Sequence, residues 1–210
     1  MLNRFGNVMF WIPLVLGCAG QMQAADRGRG IELYENQKYA EAVTELRGFL
    51  EENPDDPPAH YYLALALIHT KDYEAARKHL VAAEERRGEA GPRPDQIRAA
   101  QSQLETELKN YDEARRLAGE ALKIKEDSPE AHFALGYLAI QQKQYAEAAK
   151  SMERVIEIAP KTPYAYYFAG IAYSNLRRPD RMVNSFQTFL KLAPDAPEAD
   201  KVRSLLRSVR

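Results

Sequence analysis

Cysteine is nearly absent from this chain of 210 residues: there is one, Cys18, alongside one tryptophan, Trp11. A single thiol excludes an internal disulfide framework. Histidine is sparse as well, and His60, His69, His79 and His132 show no metal-ligand spacing, so no metal is expected. No glycine-rich nucleotide loop is present and the hydroxyl residues are scattered, so neither a cofactor nor a catalytic constellation is expected. Neither sign of charge dominates: 29 Lys and Arg face 30 Asp and Glu, a formal net charge of −1. A domain built to hold DNA or RNA carries a basic excess or stripe, so nucleic acid is not an expected partner. The N-terminal apolar run, Val8 to Leu16, is only nine residues long. As a helix it reaches roughly 14 Å, about half of the hydrocarbon thickness, and should not span a bilayer.

What is present places the chain in the globular class, with 45% hydrophobic and 28% charged residues. Met1 to Asn7 carries one positive side chain, Arg4, and no acid; the apolar run and Gly17 follow. This order of charged, apolar and small residues reads as an export signal. Val15-Leu16-Gly17-Cys18 resembles the lipobox of bacterial lipoproteins, with Leu16 bulkier than the small residue often found there. The resemblance implies a lipoprotein signal peptide over 1–17 and lipidation of Cys18, whose thiol is the chain's best nucleophile for alkylation. Several acyl chains would hold the protein firmly on a membrane. Ala19 replaces the aspartate that resembles an inner-membrane retention signal in enterobacteria, so an outer membrane facing the periplasm is expected where the host has two membranes. The alternatives are an ordinary secretory signal cut near Ala24 or Ala25, and an uncleaved cytoplasmic N-terminus. Residues 18–28 read as a polar tether.

Beyond the tether one spacing recurs. Tyr39, Tyr73, Tyr111 and Tyr145 are each followed three residues later by Ala42, Ala76, Ala114 and Ala148, and Pro179 with Met182 takes the fifth place. A period of about 34 residues predicts a solenoid of helical hairpins. The small slot of each first helix is Gly30, Ala64, Ser102, Gly136 and Gly170, where close backbone approach forbids bulk. Pro57, Pro129 and Pro163 stand at helix starts. The pattern resembles the tetratricopeptide repeat family, over nearly everything after the tether. It implies an all-α, right-handed α-solenoid over 29–196, with units 23–56, 57–90, 95–128, 129–162 and 163–196. A capping helix over 197–210 follows, with Val202, Leu205, Leu206 and Val209 as its apolar stripe. Unit one has a weak first helix, with Gly28, Arg29 and Gly30. Unit three is the least regular: Gln101 and Glu105 stand in apolar slots, Ala118 replaces a large residue, and four extra residues precede it. That insertion reads as a surface loop and a seam between units one–two and three–five.

The family's inward positions map onto Tyr61, Leu65 and His69, onto Ala99, Gln103 and Glu107, onto Phe133, Tyr137 and Gln141, and onto Tyr164, Tyr167, Ile171, Ser174 and Asn175. Tyr61/Leu65, Phe133/Tyr137 and Tyr167/Ile171 are i,i+4 pairs, each on one helical face. These residues are the expected protein-binding groove, with burial of Tyr61, Phe133, Tyr137 and Tyr167 against the next hairpin as the alternative; Tyr62, Tyr166, Phe168 and the repeating tyrosines are assigned to packing. Acidic clusters such as Glu51-Glu52 and Glu126-Asp127 fall at hairpin ends, where solvation accounts for them. The expected function is a non-enzymatic adaptor tethered to the cell envelope, holding a peptide or helix of a partner for assembly of a pilus, secretin or outer-membrane protein machine. Two alternatives stand beside it: a self-associating structural repeat protein, and a regulatory subunit of an enzyme acting on the cell wall.

Overall fold

The computed structural model describes residues 25–88 and 91–208; Cys18, the signal segment and most of the tether lie outside the described residues. Five helical hairpins follow one another. They are α1 (Arg27–Glu35) with α2 (Tyr39–Glu52), α3 (Pro57–His69) with α4 (Tyr73–Glu85), and α5 (Pro94–Glu107) with α6 (Tyr111–Ile124). Then come α7 (Pro129–Gln141) with α8 (Tyr145–Ile158), and α9 (Pro163–Asn175) with α10 (Pro179–Leu192). A last helix, α11 (Ala199–Ser208), packs on α10. The architecture is an α-solenoid, and each hairpin packs on the next.

Local chemistry sets the helix boundaries. Proline opens α3, α5, α7, α9 and α10, where no intrahelical N–H bond is lost. Asp56, Asp72 and Ser128 cap α3, α4 and α7, accepting from the backbone N–H of Ala59, Ala75 and Ala131. Each first helix ends in the same way. Gln37, Lys71, Lys109, Lys143 and Arg177 all adopt a left-handed backbone, with φ between 55° and 66°. The N–H of each reaches back three residues, and that of the next residue reaches back five, as from Lys143 to Ile140 and from Gln144 to Ala139. This fixed turn sends every second helix back along its partner.

Within a hairpin the small slot meets the residue sixteen positions on. A Cβ on Gly30 would lie 2.6 Å from Leu46, and one on Gly170 would lie 2.5 Å from the Phe186 ring. In the third hairpin Ser102 and, sixteen positions on, Ala118 are both fully buried, and the Ser102 hydroxyl donates to the Ala114 carbonyl at 2.7 Å. Small meets large and medium meets small, so the hairpins close to similar depth.

The irregular third unit is held by charge. Glu105, only 5% exposed, accepts from Arg77 of α4 at 2.6 Å and from Asn110 at 2.8 Å. Arg98 pairs with Glu84 at 2.8 Å, and Gln101 donates to the same carboxylate. The seam expected ahead of this unit is visible in the packing, which is sparser between the second and third hairpins than between any other neighbouring pair, yet the apolar core runs across it. Ile97, Ala100 and Leu104 of α5 belong to the apolar cluster of the first two hairpins. One step later, Ala99, Ala118, Ala121, Ala131 and Ala134 make a small cluster of buried alanines with Leu122 and Leu135 packed against it. Between α3 and α4, His60 and His79 meet through their Nδ1 atoms at 2.8 Å, and His60 Nε2 donates to the Pro54 carbonyl.

Candidate functional site

The first helices of all five hairpins share one concave side, which encloses a cavity of about 740 Å³. Its floor is Leu65, Ala99 and Ala100, all buried. At the N-terminal end the His69 ring lies flat on Tyr39, centroids 4.0 Å apart, with Tyr34 tilted against both. At the other end Phe168 sits between Phe133 and Tyr137, at 5.7 Å and 5.3 Å, in edge-to-face contacts. Such rings offer wide, rigid contact area at small entropic cost.

Carboxylates stand among the rings. Glu107 accepts the phenol protons of Tyr73 and Tyr137. Tyr164 places its hydroxyl 2.7 Å from both Glu198 and Gln37. One phenol has one proton, which serves the carboxylate; Gln37 completes the set by turning its amide NH₂ toward the phenol oxygen. Gln37 belongs to the turn after α1, and Glu198 immediately precedes α11. The two ends of the solenoid therefore meet across the mouth of the groove, through side chains alone.

Burial pushes the Tyr164 phenol far above its usual range, and the bond to Glu198 pushes it further. Burial does the same for Tyr137, reinforced by its bond to Glu107. Tyr39 is pushed up to about 12 by burial, with Glu198 adding to it. These phenols stay protonated donors at any physiological pH. Burial also lowers the His69 pKa, against the pull of Glu107 and Glu198, so a neutral imidazole is favoured although part of the residue is exposed.

Of the residues expected to face the groove, Tyr61, Leu65, His69, Ala99, Gln103, Glu107, Phe133, Tyr137 and Tyr164 line this cavity. Gln141, Tyr167, Ile171, Ser174 and Asn175 do not. Tyr167 packs instead on Phe186 and Phe189, and the Asn175 amide donates to the Ile171 carbonyl. Phe168 and Tyr39, assigned to packing from sequence, are part of the wall. Sequence reasoning missed Tyr34, Gln37, Glu130 and Glu198. The first two sit in a hairpin whose glycines suggested a frayed end, and Glu198 in a segment read only as a cap.

The repeat geometry and the sequence agree. Tetratricopeptide repeat family models match residues 27–92 and 98–163, and a second such model matches 135–207. The chain belongs to the tetratricopeptide repeat family. Repeats of this family form scaffolds for protein–protein interaction. No curated protein sequence matches the chain significantly. Among solved structures, the chain is similar to TTC0263, a thermophilic tetratricopeptide repeat protein of Thermus thermophilus. The two share 20% identity at a TM-score of 0.70, over 86% of this chain and 95% of that one. It is similar to YrrB, described as having an unusual peptide-binding site, at 17% identity and TM-score 0.50, over 87% and 92% of the two chains. It is similar to pilF of Pseudomonas aeruginosa at 18% identity and TM-score 0.58, over 87% and 82%. Likeness at this level of identity speaks for the fold.

Proposed function

We propose that this tetratricopeptide repeat protein is a non-enzymatic scaffold that takes a peptide or helix of a partner protein in its concave groove. The observation that carries this reading is the cavity itself: about 740 Å³, walled by aromatic rings from both ends of the solenoid. That size suits a few side chains of an extended segment, and the rings supply anchors of the kind that dominate interface energetics. YrrB, with its described peptide-binding site, lends support to the same use of the fold here. Phe133 and Tyr137 are half-buried cavity residues packed on the edge of the C-terminal core, so the test of both truncations is paired with thermal unfolding to show that the variant keeps its fold. Affinity capture with the wild-type chain and with Phe133→Ala/Tyr137→Ala should recover a partner that the variant loses. Equal recovery by both would defeat the groove reading.

The scaffold is further proposed to be tethered to the cell envelope through Cys18 and to serve assembly of an envelope machine. The support is the sequence Val15-Leu16-Gly17-Cys18 after a nine-residue apolar run. Intact-mass measurement of the protein from membranes should show cleavage before Cys18 and the added mass of acyl chains. A lipid-free product cut near Ala24 would overturn the anchor and leave the groove untouched.

A further inference from the structure

The ionisable residues that line the cavity include Glu107, Glu130, Glu198, Lys71 and His69. Glu130 is already matched: Arg93 lies 3.3 Å away and Gln96 donates to it at 2.8 Å. Glu107 and Glu198 differ. Both are half-buried, and among the described residues neither has a lysine, arginine or histidine nitrogen within salt-bridge distance. Their partners are phenols, Tyr73 and Tyr137 on one and Tyr164 on the other. A phenol satisfies a lone pair and leaves the charge uncompensated. The two carboxylates line the same cavity, together with His69. Among the described residues no three ligating side chains cluster to hold a metal ion.

We infer that the groove selects a cationic segment, a peptide carrying lysine or arginine among apolar residues, with its cations at Glu107 and Glu198. The inference rests on the reading of the groove as a peptide site. Each cation would meet a carboxylate whose lone pairs are only partly used, giving a charge-assisted bond in a partly dry setting. The rings of Phe133, Tyr137 and Phe168 suit the remainder of such a side chain, taking its aliphatic stem by contact and its charge over a ring face. An acidic segment would meet two like charges with only Lys71 to offset them, so the groove rejects it.

The test is selection of a random twelve-residue peptide library, displayed on phage, against the immobilised full chain. Recovered sequences should be enriched in Lys and Arg interspersed with apolar residues. A synthetic winner, measured by fluorescence anisotropy, should bind about tenfold more weakly for each of Glu107→Gln and Glu198→Gln, and should weaken as salt rises. Glutamine keeps an acceptor for the phenols. The same loss should follow when Lys or Arg of the winner is replaced by glutamine, which leaves the protein unaltered. Winners that are neutral or acidic and still depend on Phe133 and Tyr137 would overturn the cationic selectivity and leave the groove standing. Winners indifferent to all four positions, or no enrichment at all, would remove both readings.

Discussion

Replacing Gly170 by alanine should destabilise the fifth hairpin, although alanine is the better helix former. A Cβ at that position would lie 2.5, 2.6 and 3.0 Å from Cε1, Cδ1 and Cζ of Phe186. Carbon atoms rest at about 3.5–4.0 Å, so the ring must retreat by roughly 1 Å. It has little room, because Phe186 is 2% exposed and packs against Tyr167. Overpacking of this kind costs about 1–3 kcal/mol, and the gain from Gly to Ala in a helix is about 1 kcal/mol. The net expectation is a loss of about 1 kcal/mol. In the Phe186→Ala background, itself costing about 3–5 kcal/mol, the clash is gone and the same substitution should stabilise by up to about 1 kcal/mol. Urea unfolding of the four proteins gives the comparison as shifts in midpoint at constant slope, and the coupling should be about 2 kcal/mol. Gly136→Ala supplies an internal reference. There the added Cβ meets Met152 Cε at 2.7 Å, the mobile end of a side chain with three rotatable bonds, and Ser151 Cβ at 3.1 Å, so its cost should be smaller than at Gly170. A Gly170→Ala protein more stable than wild type would refute the reasoning. So would an equal effect with and without the Phe186 ring.

Acidification should weaken the first half of the solenoid through His79, whose pKa is pushed down to about 4 by burial and then by the neighbouring His60. The unfolded chain takes up this proton first, so stability is constant above about pH 6.5 and falls between there and pH 4. Screening of this partly exposed ring reduces the loss to about 1 kcal/mol, and His79→Gln should flatten that limb of the pH–stability curve. Lys143→Gly should raise the urea midpoint by the equivalent of about 0.5–1 kcal/mol, since a left-handed backbone costs lysine more than the entropy glycine loses; an unchanged midpoint would show the turn to be unstrained. Arg77→Ala should cost about 2 kcal/mol by stripping the buried Glu105 of its cation. Glu105→Leu, which restores the apolar character of Leu33 and Leu67 at the equivalent positions, should cost markedly less on the same assay.

The scaffold was legible in the sequence because each hairpin contacts only its neighbours, and nearest-neighbour packing writes itself as a short period. The small slots, the tyrosine–alanine pairs and the prolines at helix starts each answer a local demand. The third unit was legible only as a departure. Gln101 and Glu105 broke the apolar pattern, but their partners Glu84 and Arg77 lie on the preceding hairpin and carry no signal of their own. The groove was legible in part, since helical phase brings Tyr61, Phe133 and Tyr137 to one side. Phase did not reveal what depends on the summed rotation of five hairpins. Neither Gln37 nor Glu198 has a local feature that points to Tyr164.

That meeting of the two ends has an entropic meaning. Gln37 and Tyr164 are 127 residues apart. Closing a flexible loop of that length would cost about 4 kcal/mol in chain entropy, whereas one hydrogen bond returns about 1 kcal/mol. The bond is therefore too weak to bend the array; it forms because the stacked hairpins have already brought the ends into register. Tyr164 is in this sense a gauge of curvature. Any ligand that widens or tightens the superhelix by an ångström or two will make or break that contact, and the phenol will register it before any helix unwinds.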